Sequence, residues 1–368
     1  MEKAFDTVNH NIILDKLKYY GIRGPAHQWF SSYLSSRKQK VNVEGFSSTF
    51  LDITCGVPQG SILGPLLFLL YINDMNKSVK HSCVYHFADD TNLLYKNKDP
   101  KKLRENINSD LKDIFTWLCA NRLSLNVSKT EFIVFKPPKK SLHQRITLKL
   151  NGKTLFESTK LKYLGLIMDD RLTWKHHISE LRKKLSKSIG IIYKMKKLNS
   201  HRRIMLSLYN AIFQSHVNYG LSVWGCANDK YIESIRLSQK RVIRIISNAD
   251  YTSPTSKLFK DLNVLKIDDL LKIQYASLMW DYDKNILPSS LNFYFKSLKN
   301  NHHVTRQVTA AKLSENIIVN TDIYGKTMLK FIGPKVLNFL KDQDFYSKAK
   351  TKSFVIKKYK QYLIESYV

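Results

Sequence analysis

Phe87-Ala88-Asp89-Asp90, flanked by the apolar runs 83–86 and 92–95, predicts a strand–turn–strand with two adjacent carboxylates at its tip. Adjacent carboxylates repel each other, so both must stay hydrated or paired. They suit divalent cations, because Mg²⁺ takes oxygen ligands, usually one or two carboxylates together with substrate phosphates. Two such ions can clamp the attacking and leaving oxygens in phosphoryl or nucleotidyl transfer. Taken alone, however, an Asp-Asp turn is far more often a solvated hairpin tip.

A glycine-rich loop, Cys55-Gly56-Val57-Pro58-Gln59-Gly60-Ser61, lies upstream of this turn. Glycines let the backbone approach a ligand closely, and Pro58 stiffens the loop. Ser61 is placed to cap a helix whose apolar body runs over residues 62–72. Free N–H groups at the start of a helix suit contacts with phosphates and bases. An ordinary loop-to-helix junction has the same pattern.

A third element, Lys3-Ala4-Phe5-Asp6-Thr7-Val8-Asn9-His10, opens the chain. Together the three elements resemble the reverse transcriptases of non-LTR (LINE-type) retrotransposons, particularly the jockey-like and CR1-like group. That family has a first palm strand ending in Asp-x-x-Lys-Ala-Phe-Asp, then Gly-Val-Pro-Gln-Gly-Ser, then Phe-Ala-Asp-Asp. Further similar blocks extend the match over nearly the whole chain: 123–126 with Lys129-Thr130, 162–165, 219–225, 239–241, and Gly333-Pro334 with Asn338.

The chain departs from this family pattern at its start. Aligning Lys3 with the family lysine places the family's leading Asp, a ligand shared by both metal ions, one position before Met1. We therefore expect a fragment of a longer reading frame, without the upstream fingers or any endonuclease domain. We expect Asp6 to be structural, near the start of the next helix. Primer extension by this chain alone is then expected to be negligible, and the upstream segment should restore it.

Composition indicates a folded protein with a polyanionic partner. The 368 residues are 43% hydrophobic and 12% aromatic, enough for two or three subdomains with a buried core. The net charge of +30 makes nucleic acid the leading partner, with an anionic membrane surface second. No stretch approaches the roughly 20 apolar residues of a membrane-spanning helix, so no span is predicted. The four cysteines are widely spaced, which predicts no zinc site and a reducing intracellular compartment, nucleus or cytoplasm.

The resemblance implies an α+β fold: a right-hand polymerase palm, which is an antiparallel sheet with helices, then an α-helical thumb and a mostly helical C-terminal region. The expected boundaries are 1–172 for the palm with partial fingers, 173–255 for the basic thumb and 256–368 for the remainder. Local patterns predict helices, strands and a two-residue hairpin turn at Asn151-Gly152. Asn9 is expected to cap the first helix and Gly21 to end it, and Asp99-Pro100 to start a later helix. That later helix has an apolar stripe expected to be buried: Leu103, Ile107, Leu111, Ile114 and Leu118. The helices are at 9–21, 24–34, from Asp99 onward, from Leu172 onward, 231–246, 262–280 and 354–367. The strands are at 41–43, 50–54, 131–135, 146–150 and 154–156, with Pro137-Pro138 ending the unit that contains the 131–135 strand.

The region from Arg171 to Asp250 carries 16 Lys/Arg against 4 Asp/Glu, a net charge of +12 over 80 residues. A run of charges is usually a solvated helix face, but this imbalance of sign favours a nucleic-acid surface. A polymerase thumb needs such backbone contacts, which carry no sequence information. The candidates on the first helix are Arg182, Lys183, Lys184 and Lys187. Those on the second are Lys240, Arg241 and Arg244, with Arg236 in the same pattern.

The resemblance also implies individual roles. Asp89 and Asp90 would be catalytic residues at a site for two Mg²⁺ ions, with Mn²⁺ as an alternative. Asp89 would be the principal metal ligand, and Asp90 either a secondary ligand or a residue that supports the ligands. Phe5 matches the aromatic gate that selects deoxynucleotides, and the alternative is an ordinary core aromatic. Gln59 and Gly60 match the loop for nucleotide and template contact, and Leu164-Gly165 matches the primer grip. Lys129 matches the lysine that protonates the leaving pyrophosphate, although among 60 basic residues it could equally be an ordinary surface lysine.

The leading hypothesis is an RNA-directed DNA polymerase that transfers nucleotides from dNTPs to a DNA primer on an RNA template, held as an RNA–DNA hybrid. A catalytically inactive nucleic-acid-binding remnant is the competing class. An intron-type maturase fits less well, because Tyr219-Gly220 with Val223-Trp224-Gly225 favours the retrotransposon thumb.

Overall fold

The computed structural model describes residues 4–135, 146–288, 291, 295 and 329–368. The chain divides into two compact units, Met1–Leu161 and Lys162–Val368. The described residues form an α+β structure, rich in helices, with short antiparallel strand pairs. The predictions on Met1, Lys3 and Pro137-Pro138 lie outside the described residues.

The first unit alternates helices with two-stranded antiparallel ladders. Its helices are α1 (His10–Tyr19), α2 (Gly24–Leu34), α3 (Leu63–Ile72) and α4 (Pro100–Ala120). Its strands are β1 (Lys38–Gln39), β2 (Asn42–Val43), β3 (Phe46–Ser47), β4 (Leu51–Asp52), β5 (Cys83–Phe87), β6 (Asp90–Leu94), β7 (Leu148–Leu150) and β8 (Lys153–Leu155). The pairs are β1 with β4, β2 with β3, β5 with β6, and β7 with β8.

Helix ends in this unit follow the predicted capping residues. The Asn9 side chain accepts a hydrogen bond from the Ile12 N–H at 3.1 Å, which starts α1. Gly21, with a φ of +90°, follows the end of α1. Asp99 caps α4 and Pro100 occupies its first turn. The predicted apolar stripe of α4 faces the core: Ile107, Leu111, Ile114 and Leu118 are buried.

The hairpin of β7 and β8 confirms the turn predicted at Asn151-Gly152. Both residues have positive φ, +48° and +72°, as a type I′ turn requires. The predicted strand at 131–135 is wrong. Within the described residues it makes one isolated bridge, Phe132 to Glu157. Phe132 instead packs beside the hydrophobic core that β7 and β8 share with α4, so its apolar pattern serves packing rather than strand pairing.

The second unit begins within the hairpin of β9 (Lys160–Tyr163) and β10 (Leu166–Asp169). Its helices are α5 (Lys175–Lys197), α6 (Arg202–Leu208), α7 (Ser215–Asn218), α8 (Leu221–Trp224), α9 (Asp229–Ile246), α10 (Ser256–Asp261), α11 (Ile267–Asp283), α12 (Leu329–Lys341), α13 (Asp344–Ser347) and α14 (Lys352–Glu365). A π-helical turn, Tyr209–Gln214, joins α6 to α7. Among the described residues, no helix is both long and apolar enough to cross a membrane.

A buried glutamine, Gln239 on α9, forms hydrogen bonds with three separate segments of the second unit. The Gln239 amide donates to the Tyr209 hydroxyl and to the Leu265 carbonyl, both at 2.9 Å, while its carbonyl accepts from the Ile267 N–H at 3.0 Å. This side chain is 2% exposed. Every polar atom of its amide group is therefore used where burial without partners would be costly. The match at Gln239 thus coincides with a structural position.

His177 generates a prediction about pH. This α5 residue is 8% exposed beside Trp224, and its Nε2 has no hydrogen-bond partner among the described residues. Burial lowers the pKa of its imidazole, and nearby Lys184 lowers it further. The pKa of His177 in the folded state lies below its unfolded value near 6.5. The contribution of neutral His177 to folding stability is therefore complete above that pH, and it is lost as the pH falls through the folded pKa.

The urea concentration at the unfolding midpoint of the second unit should therefore decrease when the pH is lowered from 7.5 to 5. The decrease should be smaller in His177→Asn. His216→Asn, which changes an exposed histidine, serves as the control and should leave the pH profile as in the wild type. Equal profiles for His177→Asn and the wild type would show that His177 is not the cause.

Candidate functional site

The β5–β6 hairpin forms as predicted, with Phe87 opposite Asp90 and Ala88-Asp89 as the two-residue turn. Ala88 has a φ of +52°. A side chain other than glycine in this region carries backbone strain of roughly 1 kcal/mol or more, and such strain clusters at functional sites. The turn places Asp89, half-buried, at the tip and Asp90, exposed, at the first position of β6.

The two carboxylates are free of partners within the described chain. Neither Asp89 nor Asp90 makes a side-chain hydrogen bond or an ion pair with a described residue. Their oxygens fit the hard ligands that Mg²⁺ or Mn²⁺ takes, together with substrate phosphates. In the same part of the chain, no group of three or more His, Cys, Asp or Glu residues could hold a metal ion.

The glycine-rich loop is bonded to the N-terminal segment. The Val57 N–H donates to the Phe5 carbonyl at 2.8 Å, and the Gly56 N–H donates to the Val8 carbonyl at 2.7 Å. The Gln59 amide donates to the Asp6 carboxylate at 2.7 Å. Two motifs that are about 50 residues apart in sequence thus form one continuous piece of structure.

Two glycines of this loop differ in what surrounds them. A Cβ on Gly56 would lie 2.9 Å from the Asp6 Cα, and its φ is +90°. Gly60 has a similar φ of +79°, but nothing described lies within 4 Å of its Cβ position. Gly56 is therefore required by close packing and by conformation, whereas Gly60 is required by conformation alone and leaves open space at the loop surface.

Ser61 is not the N-cap that the sequence predicts, since α3 begins at Leu63 with Ile62 as its cap residue. The Ser61 hydroxyl nevertheless accepts from the Gly64 N–H at 2.9 Å and donates to the Pro58 carbonyl at 2.7 Å. It therefore satisfies the first turn of α3 from one position further out. The helix starts later because Pro58 and Ser61 close a turn before it.

Phe5 and Lys129 occupy contrasting places. Phe5 is half-buried, with its ring centroid 4.6 Å from that of Phe68 on α3. Lys129 ends an exposed 3₁₀ turn, Val127–Lys129, which is capped by Asn126. No hydrogen bond or ion pair among the described residues joins Lys129 to Asp89 or Asp90.

The turn at Leu164-Gly165 has a supporting tyrosine to which the sequence alone assigns no role. Both turn residues have positive φ, +44° and +82°. The Tyr219 hydroxyl donates to the Leu164 carbonyl at 2.5 Å, and a Cβ on Gly165 would lie 3.1 Å from the Tyr219 ring. A Cβ on Gly220 would lie 2.8 Å from Leu166. The Tyr219-Gly220 pair, which marks the family in the sequence, was the signal that could have identified this interaction.

The predicted basic residues differ in the exposure of their side chains and in their partners within the chain. On α5, Arg182, Lys183, Lys184 and Lys187 are exposed, and Lys183 pairs with Glu180 at 2.7 Å. On α9, Arg241 is exposed and Lys240 is half-buried.

Two arginines of α9 are engaged within the chain. The Arg244 Nε donates to the Ser253 carbonyl at 2.9 Å. Arg236 is bonded to Asp229, Glu233 and Asp268, and the Asp268 hydrogen bond raises the pKa of its guanidinium most. Its place in the basic pattern is therefore a correction, since three carboxylates already neutralise it.

Comparison with known proteins gives a family match over the segment that contains the glycine-rich loop and the β5–β6 turn. Residues 1–168 match the family described as reverse transcriptase (RNA-dependent DNA polymerase). A probable RNA-directed DNA polymerase from transposon X-element of Drosophila melanogaster is 28% identical over 305 residues, covering 79% of this chain and 33% of that protein. The RNA-directed DNA polymerase from mobile element jockey of the same species is also 28% identical, covering 79% of this chain and 32% of that protein.

The family match over residues 1–168 and these relatives support a reverse transcriptase of the non-LTR (LINE) type. The probable RNA-directed DNA polymerase from transposon BS, also of Drosophila melanogaster, is 26% identical over 296 residues. The chain spans about a third of the length of the first two relatives. The reverse transcriptase family generally uses divalent metal ions, and Asp89 and Asp90 supply oxygen ligands suited to them.

Gly56 and Gly60 provide a matched test of the loop packing. Both glycines have positive φ, so alanine is strained at either position. In Gly56→Ala the new Cβ also clashes with the backbone of Asp6. We predict that Gly56→Ala lowers the free energy of unfolding by about 1–3 kcal/mol more than Gly60→Ala does. Urea denaturation followed by tryptophan fluorescence measures both variants. Equal losses would mean that the N-terminal segment does not pack against Gly56.

Proposed function

We propose that this chain forms the reverse transcriptase portion of a non-LTR retrotransposon polymerase, which extends a DNA primer on an RNA template. The observation that carries this proposal is the strained β5–β6 turn, which presents two carboxylates without partners among the described residues. The interlocked loop of Gly56 and Gln59 supports it with a second motif of the family. We also propose the palm, thumb and C-terminal layout, with boundaries near 172 and 255.

In the proposed chemistry the primer 3′-hydroxyl attacks the α-phosphate of a dNTP. Asp89 is the main ligand and Asp90 the second ligand for divalent ions, which would neutralise the phosphates and activate the hydroxyl. The chain's own contribution is positioning, because loose phosphoryl transfer depends on orientation and electrostatics. Lys129 would give a proton to the departing pyrophosphate, as a general acid held protonated by the phosphates around it.

The other proposed contacts follow from exposure and backbone shape. The loop at Gln59 and Gly60 is exposed, with open space at Gly60 for a nucleotide and the template. Phe5 would lie under the sugar and exclude a 2′-hydroxyl, with Phe68 fixing its ring. The turn at Leu164-Gly165 would hold the primer end, and the Tyr219 hydroxyl would fix the direction of its Leu164 carbonyl.

A second candidate function, a nucleic-acid-binding protein without catalysis, is favoured by one separate observation. The exposed basic residues of α5 belong to the second compact unit, whereas the β5–β6 turn belongs to the first. Binding of an RNA–DNA hybrid could therefore persist where nucleotide transfer does not.

Binding is predicted to depend strongly on salt. Changing Arg182, Lys183, Lys184 and Lys187 together to glutamine should flatten the plot of log affinity against log salt by roughly 0.9 for each phosphate that is no longer neutralised. The control changes the same charge on the first unit, at Lys96, Lys98, Lys101 and Lys102, which are exposed. Titration of a labelled RNA–DNA hybrid at several salt concentrations measures both. Weak binding that ignores salt would contradict the assignment of α5.

Catalysis is tested by primer extension with Mg²⁺, dNTPs and an RNA template. The assay uses the 368-residue chain and a form extended at its N-terminus by the family's upstream segment. Asp89→Asn should reduce synthesis by about 10²-fold or more in whichever form is active, because it removes an ion ligand. Asp15→Asn, at an exposed carboxylate on α1, is the control. If neither form extends a primer while salt-dependent binding persists, the non-catalytic alternative holds.

A further inference from the structure

Gly190 lies in the middle of α5, a helix of 23 residues, and is exposed. Glycine is the least favourable residue after proline for a helix interior. Its φ is not positive, and no described atom lies within 4 Å of the position its Cβ would take. Neither the backbone conformation nor packing against described neighbours therefore requires a glycine at this position. A binding partner that contacts the helix surface would require one.

The surroundings of Gly190 are strongly basic. Lysines at 183, 187, 194 and 197 lie seven and three residues before it and four and seven after it, which places them on its own face of the helix. All four are exposed. The helix contains eight Lys/Arg and a single acidic residue, Glu180, which pairs with Lys183.

These four lysines and Gly190 form a stripe along α5, and the shape of this stripe fits a protruding partner surface better than a flat one. Lys187 and Lys194 are separated by about 10 Å along the helix axis, and the helix surface between them is bare backbone at Gly190. Ile191 and Tyr193, 48% and 47% exposed, border the gap and offer apolar contact to a sugar ring. A flat anionic surface would be reached by the long lysine side chains without any gap, whereas a protruding sugar–phosphate backbone needs one.

We propose that Gly190 is the point where the sugar–phosphate backbone of a nucleic-acid duplex lies directly against α5, between Lys183 and Lys187 on one side and Lys194 and Lys197 on the other. This inference rests on the proposed function and adds Gly190, Lys194 and Lys197 to its interface. The glycine sets how closely the duplex approaches, and the lysines neutralise the phosphates on either side.

The test exploits opposite effects on stability and binding. Gly190→Ala should raise the urea midpoint, because alanine favours the helix, yet weaken binding of a labelled RNA–DNA hybrid about threefold. Gly190→Leu, which fills the gap, should weaken binding about tenfold or more while all lysines remain. Thr116→Leu places the same leucine side chain at an exposed position of α4 in the other unit and should bind as the wild type does.

Each outcome decides a separate question. Wild-type affinity in both Gly190 variants, with a raised midpoint for alanine, would overturn this inference and leave the proposed function standing. Salt-independent binding by the wild type itself would contradict the proposed function. If Gly190→Leu weakens binding to vesicles rich in anionic lipid and leaves hybrid binding unchanged, the stripe serves a membrane surface and the inference is wrong.

Discussion

The candidate site depends on the close approach of two backbone segments at Gly56. Hydrogen bonds from Gly56 and Val57 hold Val8 and Phe5, and there is no room for a Cβ between Gly56 and Asp6. Because this contact fixes the N-terminal segment against the loop, it also sets the ring of Phe5 against α3. A side chain at Gly56 would separate two motifs whose proposed chemistry requires them to act on one nucleotide.

The second unit obtains its order from polar groups that are buried and fully used. Gln239 joins α9 to the π-helical turn and to α11. The Tyr367 hydroxyl donates to the Asp269 carboxylate at 2.6 Å, which fixes the end of the chain on α11. Because a half-satisfied buried network costs more than an apolar core, these residues specify the helix arrangement rather than merely stabilise it.

Local rules predicted the elements with strong signals of their own. Asn9, Asp99 and Asn151-Gly152 carry chemistry that decides a cap or a turn without tertiary help, and the helices and the hairpin form there. The strand predicted at 131–135 failed because alternation of apolar residues does not distinguish pairing from packing. Ser61 was misplaced by one position, which is a tertiary effect of the turn that it closes with Pro58.

The sequence predicted which residues to consider for the candidate site, but not the backbone strain and long-range hydrogen bonds that position them. The β5–β6 turn was predictable because the Asp-Asp pair stands between two apolar runs and accompanies the glycine-rich loop, but the strain at Ala88 was not. Tyr219 was hidden because 55 residues separate it from Leu164. Long-range hydrogen bonds of this kind leave no periodic trace, so no local pattern reports them.

The distribution of charge explains why α5 keeps a free basic face. In the second unit, acidic side chains are drawn into pairs with neighbouring cations: Asp281 with Lys352 and Asp283 with Lys341, each at 2.6 Å, and three carboxylates with Arg236. Acids used in this way cannot offset the lysines of α5, whose one acidic residue is Glu180. The excess charge therefore persists on this helix as a result of how the helices pair elsewhere, and a polyanion is the partner that could lower its electrostatic cost.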